Sequence, residues 1–248
     1  MARRIRLLVT GLESGRFVLD ADESNYVSRV HRLGVGARVV VADPEQGTEA
    51  EATIAVLGRR VEIEVGPVAR GSKPGLSAVE LVWGIGKGDK LQDVLRDLVA
   101  LGAGRLWLLT TQRSVPRLSE RAEQKRERWL QIAKEVTRQC ERSDLPVIEG
   151  PCSAQQIIER SPNARRIVLQ PGAAAQSLLS ELEAWQTRRT AHDTVQLWIG
   201  PEGGFDAQEL ADLLAVNCVL ADLGPLILRT ETAACAALAL ATAIARRA

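Results

Sequence analysis

Two short stretches of this 248-residue chain carry the residue types that build ligand sites. Gly200-Pro201-Glu202-Gly203-Gly204-Phe205 follows the apolar run Val195 to Ile199, and Asp-Leu-Gly-Pro-Leu-Ile-Leu-Arg-Thr-Glu-Thr, from Asp222 to Thr232, follows Cys218 to Ala221. Each run reads as a strand. Each loop breaks with Gly and Pro before a helical pattern resumes, which puts both loops at carboxyl ends of strands, where α/β sheets form ligand crevices. Asp206 with Glu209 three residues on has the form of a capping box, and Thr230 is placed to cap a long Ala/Leu-rich helix from about Glu231 to Arg246. Glu202 either serves the site or braces its loop.

The elements that must position these loops follow from the pattern upstream. Residues 1–72 read as β-rich: Arg16 to Leu19, Ala37 to Ala42, Glu51 to Val56 and Arg60 to Val65 are short, rich in β-branched residues and separated by turn signals. A short helix over Asp22 to Leu33, capped by Asp22 or Ser24, interrupts them, and the spacing predicts a small barrel. Gly71-Ser72-Lys73-Pro74-Gly75 has linker composition and sets the boundary to a second domain, 73–248.

There the pattern changes to strands alternating with helices, the signature of βαβ units and a mostly parallel sheet. Val79 to Ile85 is the first strand; Leu91, Val94, Leu95, Leu98 and Val99 line one face of the next helix, which Asp89 can cap. Arg105 to Leu109 is a strand, Ser119 to Glu141 a long helix with Trp129, Ile132, Ala133 and Val136 on its apolar side, Pro151 to Arg160 a short helix, Arg166 to Pro171 a strand with its loop, and Ala173 to Arg188 a helix. Trp185 and Trp198 read as packing residues, because aromatics make up only 3% of the chain.

Apolar content of 46% and charge of 25% are globular values, and the formal net charge is +1. The balance tilts locally: Arg113 to Arg142 holds nine Lys/Arg against five Glu, a candidate phosphate-binding surface or a solvated helix with alternating charges. Cys140, Cys152, Cys218 and Cys235 lack C-x-x-C spacing and have only His31 and His192 for company, which argues against a metal site. No apolar run approaches the roughly 18 residues of a bilayer span, so the expectation is a cytoplasmic protein without membrane partners. No G-x-G-x-x-G follows the first strand and no G-x-x-x-x-G-K-[ST] occurs, which counts against a dinucleotide-binding oxidoreductase.

Gly-Pro-Glu-Gly-Gly-Phe followed by Leu-Gly-x-x-Ile-Leu-Arg-x-Glu-Thr-Ala resembles the C-terminal signature of the RsmE family of small-subunit ribosomal RNA methyltransferases, in the SPOUT superfamily. The resemblance extends upstream. Tyr26 to Ala37 is similar to the family's His-x-x-x-Val-Leu-Arg-x-x-x-Gly-Asp stretch, with Tyr26, His31 and Ala37 replacing the usual His, Leu and Asp. Gln112-Arg113-Ser114 stands where Glu-Arg-Ser is usual, and Glu135, Gln139, Arg142 and Pro146 match a further motif in which Arg138 replaces a common acid.

What the resemblance implies is an α/β SPOUT domain with a C-terminal trefoil knot behind a PUA-like β-barrel at 1–72. It implies S-adenosylmethionine as cofactor, held at Leu169, Ile199, Gly200, Leu223, Gly224 and Leu228. The implied reaction methylates N3 of a uridine in 16S ribosomal RNA of the small subunit, on a homodimer. Arg229 is the candidate for steadying the uridine anion or an RNA phosphate. Glu231 is open between accepting the N3 proton and complementing a helix dipole. Arg29, Arg32, Arg113, Ser114, Gln139 and Arg142 are the candidate RNA contacts, the last two three apart and able to share a helix face. The alternatives are a SPOUT enzyme acting on another RNA, such as transfer RNA, and a non-catalytic RNA-binding module.

Overall fold

The computed structural model describes residues 5–86, 90–113, 122–172, 176–190 and 193–247. Its contacts divide the chain into two units, one of residues 1–75 with 134–145, the other of residues 76–133 with 146–248.

In the N-terminal unit β1 (Arg6–Leu8), β2 (Gly15–Val18), β3 (Arg38–Asp43), β4 (Thr48–Val56), β5 (Glu62–Val65) and β6 (Ala69–Arg70) form a six-stranded sheet of order β1-β3-β4-β5-β2, with β6 beside β4. Strand β1, which has no separate expectation from sequence, pairs with β3 in parallel. Alternate residues, among them Val39, Val41, Ala52, Ile54, Ile63 and Val65, turn inward to one core with Leu7, Leu19 and Val27. The expected helix over Asp22 to Leu33 is two pieces, α1 (Ala21–Asn25) and a π turn (Tyr26–Val30). Its cap is Asp20, whose carboxylate accepts from Glu23 N–H (2.8 Å), not Asp22 or Ser24. Ser24 is buried, and its hydroxyl accepts from Val61 N–H (3.0 Å).

Residues 134–145 complete this unit. Lys73 Nζ pairs with Glu141 (2.5 Å), Gly75 N–H donates to Asp144 Oδ1 (2.7 Å) and Leu145 N–H to the Pro44 carbonyl (3.0 Å). The Arg138 guanidinium pairs with Glu23 and lies 4.2 Å from the Tyr26 ring centre.

The second unit holds a seven-stranded sheet whose pairings among the described residues are all parallel. Its strands are β7 (Leu76–Gly84), β8 (Ala103–Leu109), β9 (Val147–Cys152), β10 (Arg165–Leu169), β11 (Gln176–Ser177), β12 (Val195–Ile199) and β13 (Val219–Asp222), in the order β11-β13-β10-β12-β7-β8-β9. Strand β9 was not expected, and it takes Pro151 and Cys152 out of the short helix read from sequence. The helices are α2 (Lys90–Ala100), α3 (Ala122–Cys140), α4 (Ala154–Arg160), α5 (Leu178–Arg188), α6 (Ala207–Ala215) and α7 (Thr230–Ala245). Asp89, the expected cap of α2, lies outside the described residues. Helix α5 starts at Leu178, capped by Ser177, because Gln176 and Ser177 pair with β13 as a strand.

The register explains the apolar runs. Val168, Trp198, Val82 and Trp107 align across four strands and face α4 and α6 with Ile157, Phe205 and Leu213. The alternating residues Ile167, Leu197, Leu81 and Leu106 fall on the other face, where α7 packs against α2, α5, β7 and β12. Strands covered on both faces need apolar side chains at consecutive positions, which is how these strands read. Among the described residues no helix is long and apolar enough to cross a membrane.

Candidate active-site cleft

The carboxyl ends of β10, β12 and β13 lie side by side, and the loops leaving them enclose a cleft of about 260 Å³. Leu169, Ile199, Gly200, Leu223, Gly224 and Leu228 all line it, so six residues from three separate loops are brought to one place.

The first loop is fixed from within and from below. Gly204 N–H donates to the Pro201 carbonyl (2.7 Å), closing a turn. The expected capping box is present: Asp206 accepts from Glu209 N–H (2.7 Å), and Glu209 accepts from Asp206 N–H (2.9 Å). Glu209 also accepts from Gln112 N–H (2.8 Å), and the Arg113 guanidinium donates to the Gly203 carbonyl. Thus the end of β8 is tied to the cleft loop at two points. Below it runs Gly84-Ile85-Gly86, whose glycine spacing is visible in the sequence although it matches none of the motifs above. A Cβ on Gly84 would lie 2.6 Å from Pro201 Cδ and 2.6 Å from the Pro201 backbone nitrogen, so only glycine admits the approach there, while one on Gly86 would lie 2.0 Å from Glu202 Oε2 and displace that carboxylate.

The second loop turns at Gly224, whose φ of +105° favours glycine and whose N–H donates to Asp222 Oδ1 (3.0 Å). Leu226 and Ile227 are 77% and 85% exposed while also bordering the cleft. Helix α7 then begins at Thr230 with Arg229 as its N-cap, not Thr230; the Arg229 backbone is extended (ψ 151°) and its side chain makes no cap. Thr230 and Ala233, one turn apart, line the cleft and Arg229 is exposed beside it.

Glu231 points elsewhere. Its Oε2 is buried without a hydrogen-bond partner, and it is not part of the cleft wall. Burial, then the Asp97 and Glu231 carboxylates, push the Cys235 thiol up, which places Glu231 towards Cys235 and α2. Of its two expected roles, the acid of a first helical turn fits this position.

The expected RNA contacts divide. Arg29 and Arg32 are exposed on the N-terminal unit, Arg32 with φ +50°. Arg113 is exposed but engaged with Gly203. Ser114 lies outside the described residues. Gln139 is exposed, but Arg142 does not share its helix face: Glu141, at φ +61°, ends α3 first. Arg142 is 4% exposed, ion-paired with Asp144 (2.7 Å) and packed where a Cβ on Gly75 would reach its Nη2 at 2.0 Å. That is the environment of a packing residue.

The cleft lining tests what could occupy it. Glu202 and Asp222 are the ionisable side chains on the wall, both acidic, and the remainder is largely aliphatic or glycine. Apolar walls suit a flat base, the exposed amides and carbonyls of the loops can read its edge, and carboxylates suit a positively charged group. A phosphate-rich cofactor would meet repulsion instead. No group of three metal-ligating side chains occurs among the described residues.

Comparison with known proteins agrees with this geometry. The sequence pattern of the RNA methyltransferase domain family matches residues 73–242. Ribosomal RNA small subunit methyltransferase E of Bacillus subtilis is 29% identical over 224 residues, 89% of this chain and 87% of that protein. The protein of the same name from Synechocystis is 28% identical over 240 residues, 96% of this chain and 77% of that one. Among solved structures, a Legionella pneumophila methyltransferase in complex with the bound cofactor SAM superposes with a TM-score of 0.82 at 27% identity, covering 98% of both chains.

Proposed function

Because the chain belongs to the RNA methyltransferase family, and within it to the RsmE group, we propose that it methylates N3 of a uridine in 16S ribosomal RNA from S-adenosylmethionine. The observation that carries the reading is the cleft itself, where both signature loops meet at the carboxyl ends of β12 and β13, the parallel strands on either side of β10, behind apolar and acidic walls. Leu169, Ile199 and Leu228 would hold the adenine, backbone groups at Gly200, Leu223 and Gly224 would read its edge, and Glu202 and Asp222 would favour the cationic end. The cofactor, once bound, supplies a methyl group on a positively charged sulfur that is already a good leaving group. What remains for the chain is alignment and the handling of one proton.

The imide N3 of uridine is protonated at neutral pH, so transfer requires that proton to leave and the anion to be stabilised. Arg229 is proposed for that stabilisation: it sits exposed at the N-cap of α7, next to the cleft, with a permanent charge. The N-terminal unit is proposed as a PUA-like RNA-binding domain, with Arg29 and Arg32 as phosphate contacts, and Gln139 as a further one. The second unit is proposed to form the trefoil knot of its superfamily and to work in the cytoplasm as a homodimer, each cleft completed by the other protomer.

The test is incubation with methyl-labelled S-adenosylmethionine and small subunits lacking the modification, followed by nuclease digestion and mass spectrometry. Label in 3-methyluridine of 16S RNA is the expected result. Cofactor binding without label would redirect the activity to another RNA, and no cofactor binding would overturn the methyltransferase reading.

A further inference from the structure

The opposite end of the same sheet carries a second cavity, of about 410 Å³, at the amino ends of β10 and β12. Arg165, Arg166, Arg188 and Arg189 line it against Glu181 and Asp193, leaving an excess of two positive charges. Three of the arginines are held in place. Arg165 pairs with Glu181 (2.6 Å), Arg166 Nη2 donates to the carbonyls of Ser161 (2.7 Å) and Pro162 (3.2 Å), and Arg189 Nη2 donates to the Ala245 carbonyl (2.8 Å). Arg189 also covers the Trp185 ring, 4.8 Å from its centre.

The donors outnumber the acceptors. Arg166 is 6% exposed and Trp185 7% exposed, yet the Arg166 Nε and Trp185 Nε1 hydrogens have no acceptor. Arg188, at the exposed edge, has no acceptor among the described residues, and Asp193 Oδ2 is taken by Thr190 N–H (2.7 Å). The two buried N–H groups lie out of reach of any ligand, but Arg188 leaves an unanswered charge at the open edge of a wall that is already net cationic, and an anion would answer it. A phosphate offers several acceptor oxygens in different directions and a charge matched to the excess. With Arg189 already lying over the indole, the ligand would be gripped by its phosphate and not by ring stacking on that face.

We propose that this cavity binds a phosphate group, carried either by RNA or by a free nucleotide. The cleft lies at the far ends of the same strands, four residue steps along β10 or about 13 Å, so the two sites fill independently.

Calorimetric titration of the full-length protein with AMP and with inorganic phosphate tests it, alongside single-stranded RNA binding as a function of salt. Both small anions should bind in the millimolar range or better, and Arg188→Ala should weaken them about tenfold, the weight of one charge-assisted hydrogen bond, with S-adenosylmethionine affinity unchanged. If RNA is the source, Arg188→Ala also makes the salt dependence of RNA binding shallower by about 0.7 in log–log slope. An unchanged slope with weakened AMP assigns a free nucleotide. No binding of either anion at about 10 mM, or binding that neither Arg188→Ala nor Arg165→Ala weakens, would overturn the proposal. The RNA arm rests on the proposed methyltransferase reading; the AMP arm does not, so the two can fail separately.

Discussion

Replacing Glu23 with glutamine should flatten the pH dependence of stability in the N-terminal unit. Glu23 is 4% exposed; its Oε1 pairs with Arg138, and its Oε2 has no partner. Burial outweighs the Arg138 guanidinium, with Asp20 and Asp22 adding to it, and lifts the carboxyl from 4.5 to about 7. A folded-state value above the unfolded one means that the folded protein holds the extra proton. The stabilisation is therefore complete below pH 4.5 and lost as pH rises through 7. At about 1.4 kcal/mol per pH unit between the two values, roughly 3 kcal/mol disappears across this window.

The assay is urea unfolding at pH 5 and pH 8, read from tyrosine. Tyr26 is the chain's single tyrosine and touches Arg138, whereas the five tryptophans, at 83, 107, 129, 185 and 198, belong to the other unit. Wild type should lose midpoint over this range and Glu23→Gln should not. Parallel pH profiles for the two proteins would show that Arg138 keeps Glu23 ionised throughout, and that the burial reasoning is wrong.

Other outcomes follow from the cleft. Arg113→Ala removes a charged donor from the Gly203 carbonyl and should weaken S-adenosylmethionine about tenfold in the absence of RNA; an unchanged calorimetric Kd would mean the loop holds itself. Gly86→Ala puts a Cβ 2.0 Å from Glu202 Oε2. That carboxylate is exposed and can swing away, so cofactor affinity should drop with a stability change within about 0.5 kcal/mol; loss of folding instead would locate the strain in the backbone. Arg229→Ala should abolish turnover while leaving cofactor affinity within roughly a few-fold, and matched losses of both would make Arg229 structural.

Local chemistry was legible in the sequence where one short segment determines the outcome. Val195 to Ile199 reads as a strand from its own residues, and Asp206 with Glu209 specifies a capping box whatever surrounds it. The six cleft residues came from motif resemblance, since nothing local says that the loops after β10, β12 and β13 meet. Strand β9 has no signal of its own in the sequence, where Pro151 and Cys152 read with the following helix, because it is pairing with β8 that imposes the extended form. Arg142 does not share a face with Gln139 because helical periodicity does not announce a left-handed Glu141, which ends α3 before it. Two departures from the family pattern, Tyr26 and Arg138, looked unrelated at a distance in sequence, yet the guanidinium of one lies over the ring of the other.

The sharing of helix α3 between units has a consequence for biosynthesis. Residues 1–75 lack the segment 134–145 that contributes Arg138 beneath Tyr26, and Asp144 and Ser143 against the chain at 73–75. As the ribosome releases the chain, the first-made sheet must wait for another 70 residues before its last contacts can form. At about 5–20 residues per second the wait lasts several seconds, long compared with the folding of most small sheets. The N-terminal sheet is thus first to be translated without being first to be finished, and a cut at the 71–75 linker would leave it permanently in that unfinished state.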